Sequence, residues 1–392
     1  MFMRFQLNRR VFVSALCMAP ILALTMLVSG SVPASAQRYE FVPLARFNGD
    51  NGSRPESGPL LPDGAGNFYG AASRGGNRNG DGNGHGVIYK YSASGGIEEL
   101  ARFDGYNGSI PLGGVVTDGK GNLFGTTQSG GNGWQPGGFG DGTLFEYSPV
   151  GGLRTLSFFD GQNGKSPKAA PWMDSAGHLY GTTDGFDNLS GCIFEYSDPG
   201  PAQSLDTFKG KTGEQPWAPL IPGGDGFLYG TAVGGGEYGK GTIFRYSPST
   251  GIETLASFNG ANGRGPWSAL VTDGRGFFYG TTHNGGATDT GTIFEYSAAG
   301  GLKTLYEFDA ANPACRPEGP LIRDASGNLY GSSGGVIFMY SATRGYRPLL
   351  RYPFGKGTWG AKYLVMDKQG NIFGTSGVGQ NGSIFELKLI GP

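Results

Sequence analysis

Apolar and polar residues along this chain switch every few positions, in runs of roughly four to eight residues that end at Gly, Pro, Asn or Asp. Gly291-Thr292-Ile293-Phe294-Glu295-Tyr296-Ser297 is typical: β-branched and aromatic residues take one side and a charge interrupts the other. A period of two predicts half-buried strands. Helices are disfavoured because few windows of ten residues escape a Gly or Pro.

The runs recur in a fixed order. Variants of Asn-Leu-Tyr-Gly end at Gly70, Gly125, Gly181, Gly230, Gly280, Gly331 and Gly374, at intervals of 43 to 56 residues. A second phrase centres on Tyr91, Tyr147, Tyr196, Tyr246, Tyr296 and Tyr340 and returns at the end of the chain as Ile384-Phe385-Glu386-Leu387. A third reads Leu302-Lys303-Thr304-Leu305-Tyr306-Glu307-Phe308, and a fourth Pro266-Trp267-Ser268-Ala269-Leu270-Val271-Thr272-Asp273. Four short strands in about fifty residues predict one blade of a β-propeller, and seven copies predict seven blades. A lone four-stranded sheet cannot cover both faces, so stacking around an axis should bury the aromatic residues; Tyr279 is expected between blades. A β-solenoid is the alternative, with coils usually shorter than this repeat.

The chain ends supply the frame. Phe41-Val42-Pro43-Leu44-Ala45-Arg46-Phe47 copies the third phrase, while the last copy stops after the second. The N-terminal strand is therefore expected to complete the last blade and close the ring. The expected fold is all-β: a seven-bladed β-propeller of four-stranded antiparallel blades over residues 37–392. The phrases Asn-Leu-Tyr-Gly-Thr-Thr, Gly-Thr-Ile-Phe-Glu-Tyr-Ser and Phe-Asp-Gly-x-Asn-Gly make the chain similar to the GloVer tandem-repeat family of exported bacterial proteins. That resemblance implies propeller-like repeats and export. It implies no catalytic residues.

Residues 1–36 carry Arg4, Arg9 and Arg10, an apolar stretch from Val11 to Val28, and Pro33-Ala34-Ser35-Ala36. A basic start, an apolar middle and small residues at the end predict a signal peptide cleaved after Ala36, by the general secretory or twin-arginine route. The expected location is periplasmic or extracellular, with no later membrane span. Gly at 76 of 392 positions would suggest disorder, but an aromatic content of 13% and a formal net charge of −1 argue for a packed core. The absence of a basic excess removes nucleic acid as an expected partner. Cys192 and Cys315 occupy non-equivalent positions in their repeats, so no disulfide framework is expected.

Candidate chemistry is sparse. Asx-Gly loops such as Phe103-Asp104-Gly105-Tyr106-Asn107-Gly108 suit tight turns better than a calcium site, which needs several carboxylates. His85, His178 and His283 lack metal-pair spacing. No cofactor is expected, and a monomer is. The connections that vary in length, second-to-third strand and blade-to-blade, emerge on one face. Near the mouth of the channel there, the repeat register places Trp217 and Trp267, with Trp359 one or two positions from the equivalent place, Lys168 and Lys362 at neighbouring positions and Trp134 on a long loop. The expected function is non-enzymatic binding of a glycan, a peptide or a cell-envelope partner. The alternative is a propeller hydrolase, lactonase or lyase with its site at the central channel.

Overall fold

The computed structural model describes residues 37–55, 58–76, 84–135, 139–185, 191–309, 316–351, 360–377 and 381–391. The predicted signal segment, Trp359 and Cys315 lie outside these residues. Seven four-stranded antiparallel sheets follow one another in chain order, spanning 61–102, 116–158, 172–207, 221–257, 271–307 and 322–351 for blades one to six. Blade seven joins residues 364–391 to the N-terminal strand Arg38–Arg46, as the repeat frame predicts. Regular helix is confined to the short turn Gly210–Thr212 among the described residues, and none of their helices is long and apolar enough to cross a membrane.

Closure reproduces the internal pairing in detail. In blades one to six, the ladder between third and fourth strands shifts by one residue at the same place, for example between Ile293 and Phe294. The N-terminal strand shifts at the corresponding point: Pro43 faces Phe385 and Ala45 faces Ile384. Pairing runs from Arg38 opposite Gly391 to Arg46 opposite Ser383, so the outer edge of the third strand is covered along its length.

Each blade is organised around one ring and one glycine. The Gly of the second strand faces the third-strand aromatic directly: Gly280 opposite Phe294, Gly125 opposite Phe145, Gly70 opposite Tyr89. The ring lies over the glycine so closely that a Cβ on Gly280 would stand 2.5 Å from Phe294 Cζ. The rings are sealed from water, and in blades one to six each meets edge-on the Phe that follows the preceding blade's fourth strand, such as Phe258 against Phe294 at 5.1 Å. Neighbouring second-strand residues point to opposite sides of the blade and fill the gaps between blades. Tyr229 of blade four stacks on Phe278 of blade five at 4.2 Å, and half-buried Tyr279 packs against the core of blade six.

The innermost strands are shorter than the fourth phrase predicts. Only Val271–Thr272 pairs in blade five, and the residues from Pro266 form a lead-in. The reason is crowding at the axis, where lead-ins of adjacent blades meet backbone to backbone; a Cβ on Gly113 would collide with Ala169 and Ala170. Second-strand hydroxyls fasten these lead-ins to the preceding blade, with Thr182 Oγ1 donating to Ala218 O and Thr231 Oγ1 to Ser268 O. The third-strand charges, read as pairing along the sheet, bind fourth-strand partners: Arg154 with Glu146 at 2.7 Å and Arg245 with Glu253 at 2.6 Å.

Two outcomes check this architecture. Deleting residues 37–47 should leave the last blade with an open third strand and turn a soluble protein into an aggregating one, read by sedimentation and thermal melting. Gly280→Ala should cost about 1–3 kcal/mol in urea unfolding, and markedly less when Phe294 is first shortened to Leu, because the added methyl then has room.

Candidate functional site

Trp217 and Trp267 owe their position to a reversed backbone residue. Gln215 (φ 57°) and Gly265 (φ 63°) stand immediately before Pro216 and Pro266. The same reversal occurs before the equivalent prolines at Arg54, Ile110, Ser166 and Arg316. For a non-glycine residue this costs on the order of 1 kcal/mol, so the surroundings must hold it. They do so from two blades: the Gly265 N–H donates to Lys240 O of blade four, and its carbonyl accepts from the His283 N–H of blade five. Pro266 then seats on Gly241, where a Cβ would come within 2.6 Å of its ring. The reversal turns the following residue toward the mouth of the axis, and that residue is Lys168 in blade three, Trp217 in blade four and Trp267 in blade five.

These side chains form one row. The Lys168 ammonium lies 3.7 Å from the centre of the Trp217 ring and 2.6 Å from the Asp184 carboxylate. Asp184, almost fully buried at the end of blade three's second strand, also accepts the Trp217 indole N–H at 2.5 Å. The two indoles are 5.6 Å apart at an angle of 53°. Trp267 in turn stacks nearly parallel on His283 at 3.8 Å, and His283 Nδ1 is 2.9 Å from Asn284 Oδ1. Burial disfavours the imidazolium and lowers the His283 pKa from its ordinary value; the Asn284 oxygen and the Glu318 charge only partly offset this. Both indoles are half-buried.

Lys362 reaches the same end of the molecule from blade seven and pairs with Glu318 at 2.9 Å. The structure thus brings Trp217, Trp267, Lys168 and Lys362 to one face around the axis. It adds Asp184 and Glu318, which the sequence reading passed over, and His283, which was weighed there only as a metal ligand. A signal existed: Asp184 and His283 take the position that Ser73, Gln128 and Val233 occupy in other copies. Trp134 belongs elsewhere on that face. It packs edge-on to His85 at 5.2 Å and Tyr106 at 4.8 Å, over Gly105 in the connection from blade one to blade two. The Asx-Gly loops spend their oxygens on themselves: Asp104 and Asn107 each accept the other's backbone N–H at 2.9 Å. Among the described residues no group of three or more His, Cys, Asp or Glu could hold a metal ion.

A family model described as the Gloeobacter/Verrucomicrobia repeat matches residues 32–194 and 168–385. No curated protein matches the chain. Among solved structures, virginiamycin B lyase from Staphylococcus aureus is similar with a TM-score of 0.59 and 14% identity, covering 91% of this chain and 100% of that one. An extracellular domain assigned to a one-component system of B. thetaiotaomicron gives 0.54 and 12%, covering 90% and 40%. A protein from Bacteroides uniformis assigned as a 6-phosphogluconolactonase gives 0.50 and 17%, covering 79% and 90%. At these identities the likeness is one of fold.

The depressed His283 pKa gives a pH signature. A folded value below the unfolded one means stability is fully present above the unfolded pKa, near 6.5, and declines as pH falls below it. His85, lowered by burial, acts in the same direction. The melting temperature should therefore drop between pH 6.5 and 5, and His283→Gln should remove part of that drop.

Proposed function

The chain belongs to the Gloeobacter/Verrucomicrobia repeat family, and from that premise we propose that it is an exported, non-enzymatic propeller that binds a glycan at the axis mouth of its variable face. One observation carries the reading: the continuous row of Lys168, Trp217, Trp267 and His283 across blades three to five, held by its own contacts and with both indoles half-buried. A clamped aromatic row loses little conformational freedom on binding, and the π-faces of partly accessible indoles suit the C–H face of a sugar ring. The flanking ion pairs, Lys168 with Asp184 and Lys362 with Glu318, place donors and acceptors beside the rings for hydroxyl groups.

The same contacts weigh against acid–base turnover at this place. Asp184 is committed to an ammonium and an indole, and His283 lies flat on Trp267 with Nδ1 engaged. Export is supported by the basic, apolar and small-residue order of residues 1–36. A monomer is consistent with a ring that closes within one chain.

A glycan array probed with the mature protein should yield a ligand that quenches tryptophan fluorescence. Trp267→Ala should weaken its binding roughly five- to thirtyfold, the loss expected for a stacking contact of about 1–2 kcal/mol, with the melting temperature little changed. A ligand unaffected by Trp267→Ala, or one that the protein consumes, would overturn the assignment.

A further inference from the structure

Blade four departs from the other six at one turn, and the departures face one cleft. The residue directly after the innermost strand is Asp63, Asp118, Asp174, Asp273, Asp324 and Asp367 in the other blades, and Gly223 in blade four. Each of those aspartates accepts the backbone N–H four residues on, as Asp273 does from Phe277. In blade four the carboxylate moves to Asp225, which accepts the Phe227 N–H at 3.2 Å and the Tyr229 hydroxyl at 2.6 Å. A Cβ at Gly223 would collide with Tyr229 Cε2, so the missing side chain is what lets this ring and Asp225 meet.

The third-strand position opposite Tyr229 is also changed: Arg245 stands where four blades have Glu. Its guanidinium lies 4.1 Å from the centre of the Phe227 ring, and Glu253 engages Nε and Nη2. Held on one face and one edge, it stands across the strand pair from Tyr229 and borders an opening of about 370 Å³ between blades four and five. This opening lies at the hairpin end of the blades, opposite the aromatic row. Asp225, Tyr229, Arg245, Leu255, Phe278 and Tyr296 line it, together with glycines of the two turns. Burial opposes ionisation of Asp225, but the Tyr229 and Phe227 donors outweigh it and hold the carboxyl below its usual range. Burial and the Asp225 charge push Tyr229 up to about 12, so it remains a donor.

The cleft therefore presents a fixed cation and a fixed anion, the anion held by one phenol, among the apolar side chains of Leu255, Phe278 and Tyr296. We propose that it binds a small zwitterion, an α-amino acid with an apolar side chain, its carboxylate on Arg245, its ammonium on Asp225 and its side chain against Leu255 and Phe278. A held guanidinium favours a carboxylate because little freedom remains to be lost. The opening falls within the size range of small-molecule sites. Repeat scaffolds need the same turn in every copy, so a turn rebuilt in one blade, with a cleft beside it, marks a place where the scaffold rule has yielded.

Titration calorimetry with L-leucine, L-methionine and L-phenylalanine at millimolar concentration tests this. At least one should bind with 1:1 stoichiometry, and its methyl ester and N-acetyl derivative should each bind roughly tenfold or more weakly, since each lacks one charge. Arg245→Met should abolish binding. Gly223→Asp restores the residue of the other six blades; it should leave the melting temperature within a few degrees and close the cleft to the ligand. No heat from any of the three amino acids overturns the proposal. So does equal binding of the ester, or binding that survives Gly223→Asp. None of these outcomes bears on the glycan site, which lies at the other end of the blades.

Discussion

The protein depends on an aromatic ring lying over a glycine. In every blade the third-strand ring occupies the space where a second-strand side chain would stand, from Tyr89 over Gly70 to Phe385 over Gly374. The glycine is costly in a strand, since it loses more chain entropy and packs nothing itself. The buried ring offsets that cost by covering the bare backbone and, in blades one to six, by meeting the Phe that follows the preceding blade's fourth strand. Seven such pairs fix the register of seven sheets, because a slip of one residue would set the ring against Tyr or Thr.

A second constraint grows from the first. Sheets held this tightly approach one another closely at the axis, and only small or backbone groups fit between their lead-ins. The chain meets that crowding with a reversed residue before proline, tied to the blade behind and the blade it enters. The reversal aims the next residue outward at the axis mouth. A seven-fold scaffold thereby presents a ring of positions that packing leaves nearly free, and Lys168, Trp217, Trp267 and Glu318 occupy four of them. Blade-to-blade differences at this level change the surface and spare the core.

The two candidate sites use the scaffold in different ways. At the axis mouth, positions the repeat leaves open are filled by residues that hold one another: an ammonium over an indole, an indole on an imidazole, a buried carboxylate behind both. At the hairpin end, a position the repeat normally fills is vacated at Gly223, and a carboxylate, a phenol and a guanidinium rearrange around the gap. The first site is added onto the framework; the second is cut into it.

The repeat alone determined the number of blades, the order of strands and the closing strand, because each is written as a local phrase of alternating residues between glycines. Residues 41–47 could be matched to the missing strand since the phrase carries its own period and bulge. The register of the tryptophans was legible for the same reason. What the sequence withheld lies in contacts between segments far apart in the chain. Asp184 and Trp217 are thirty-three positions apart and His283 follows Trp267 by sixteen; each pair meets only when the lead-in of one strand folds back over the end of another. The two-residue length of the inner strands was likewise decided by crowding at the axis, which no single blade contains. Periodicity records what one blade needs from its own residues, whereas a site at a ring's centre is assembled by closure of the ring.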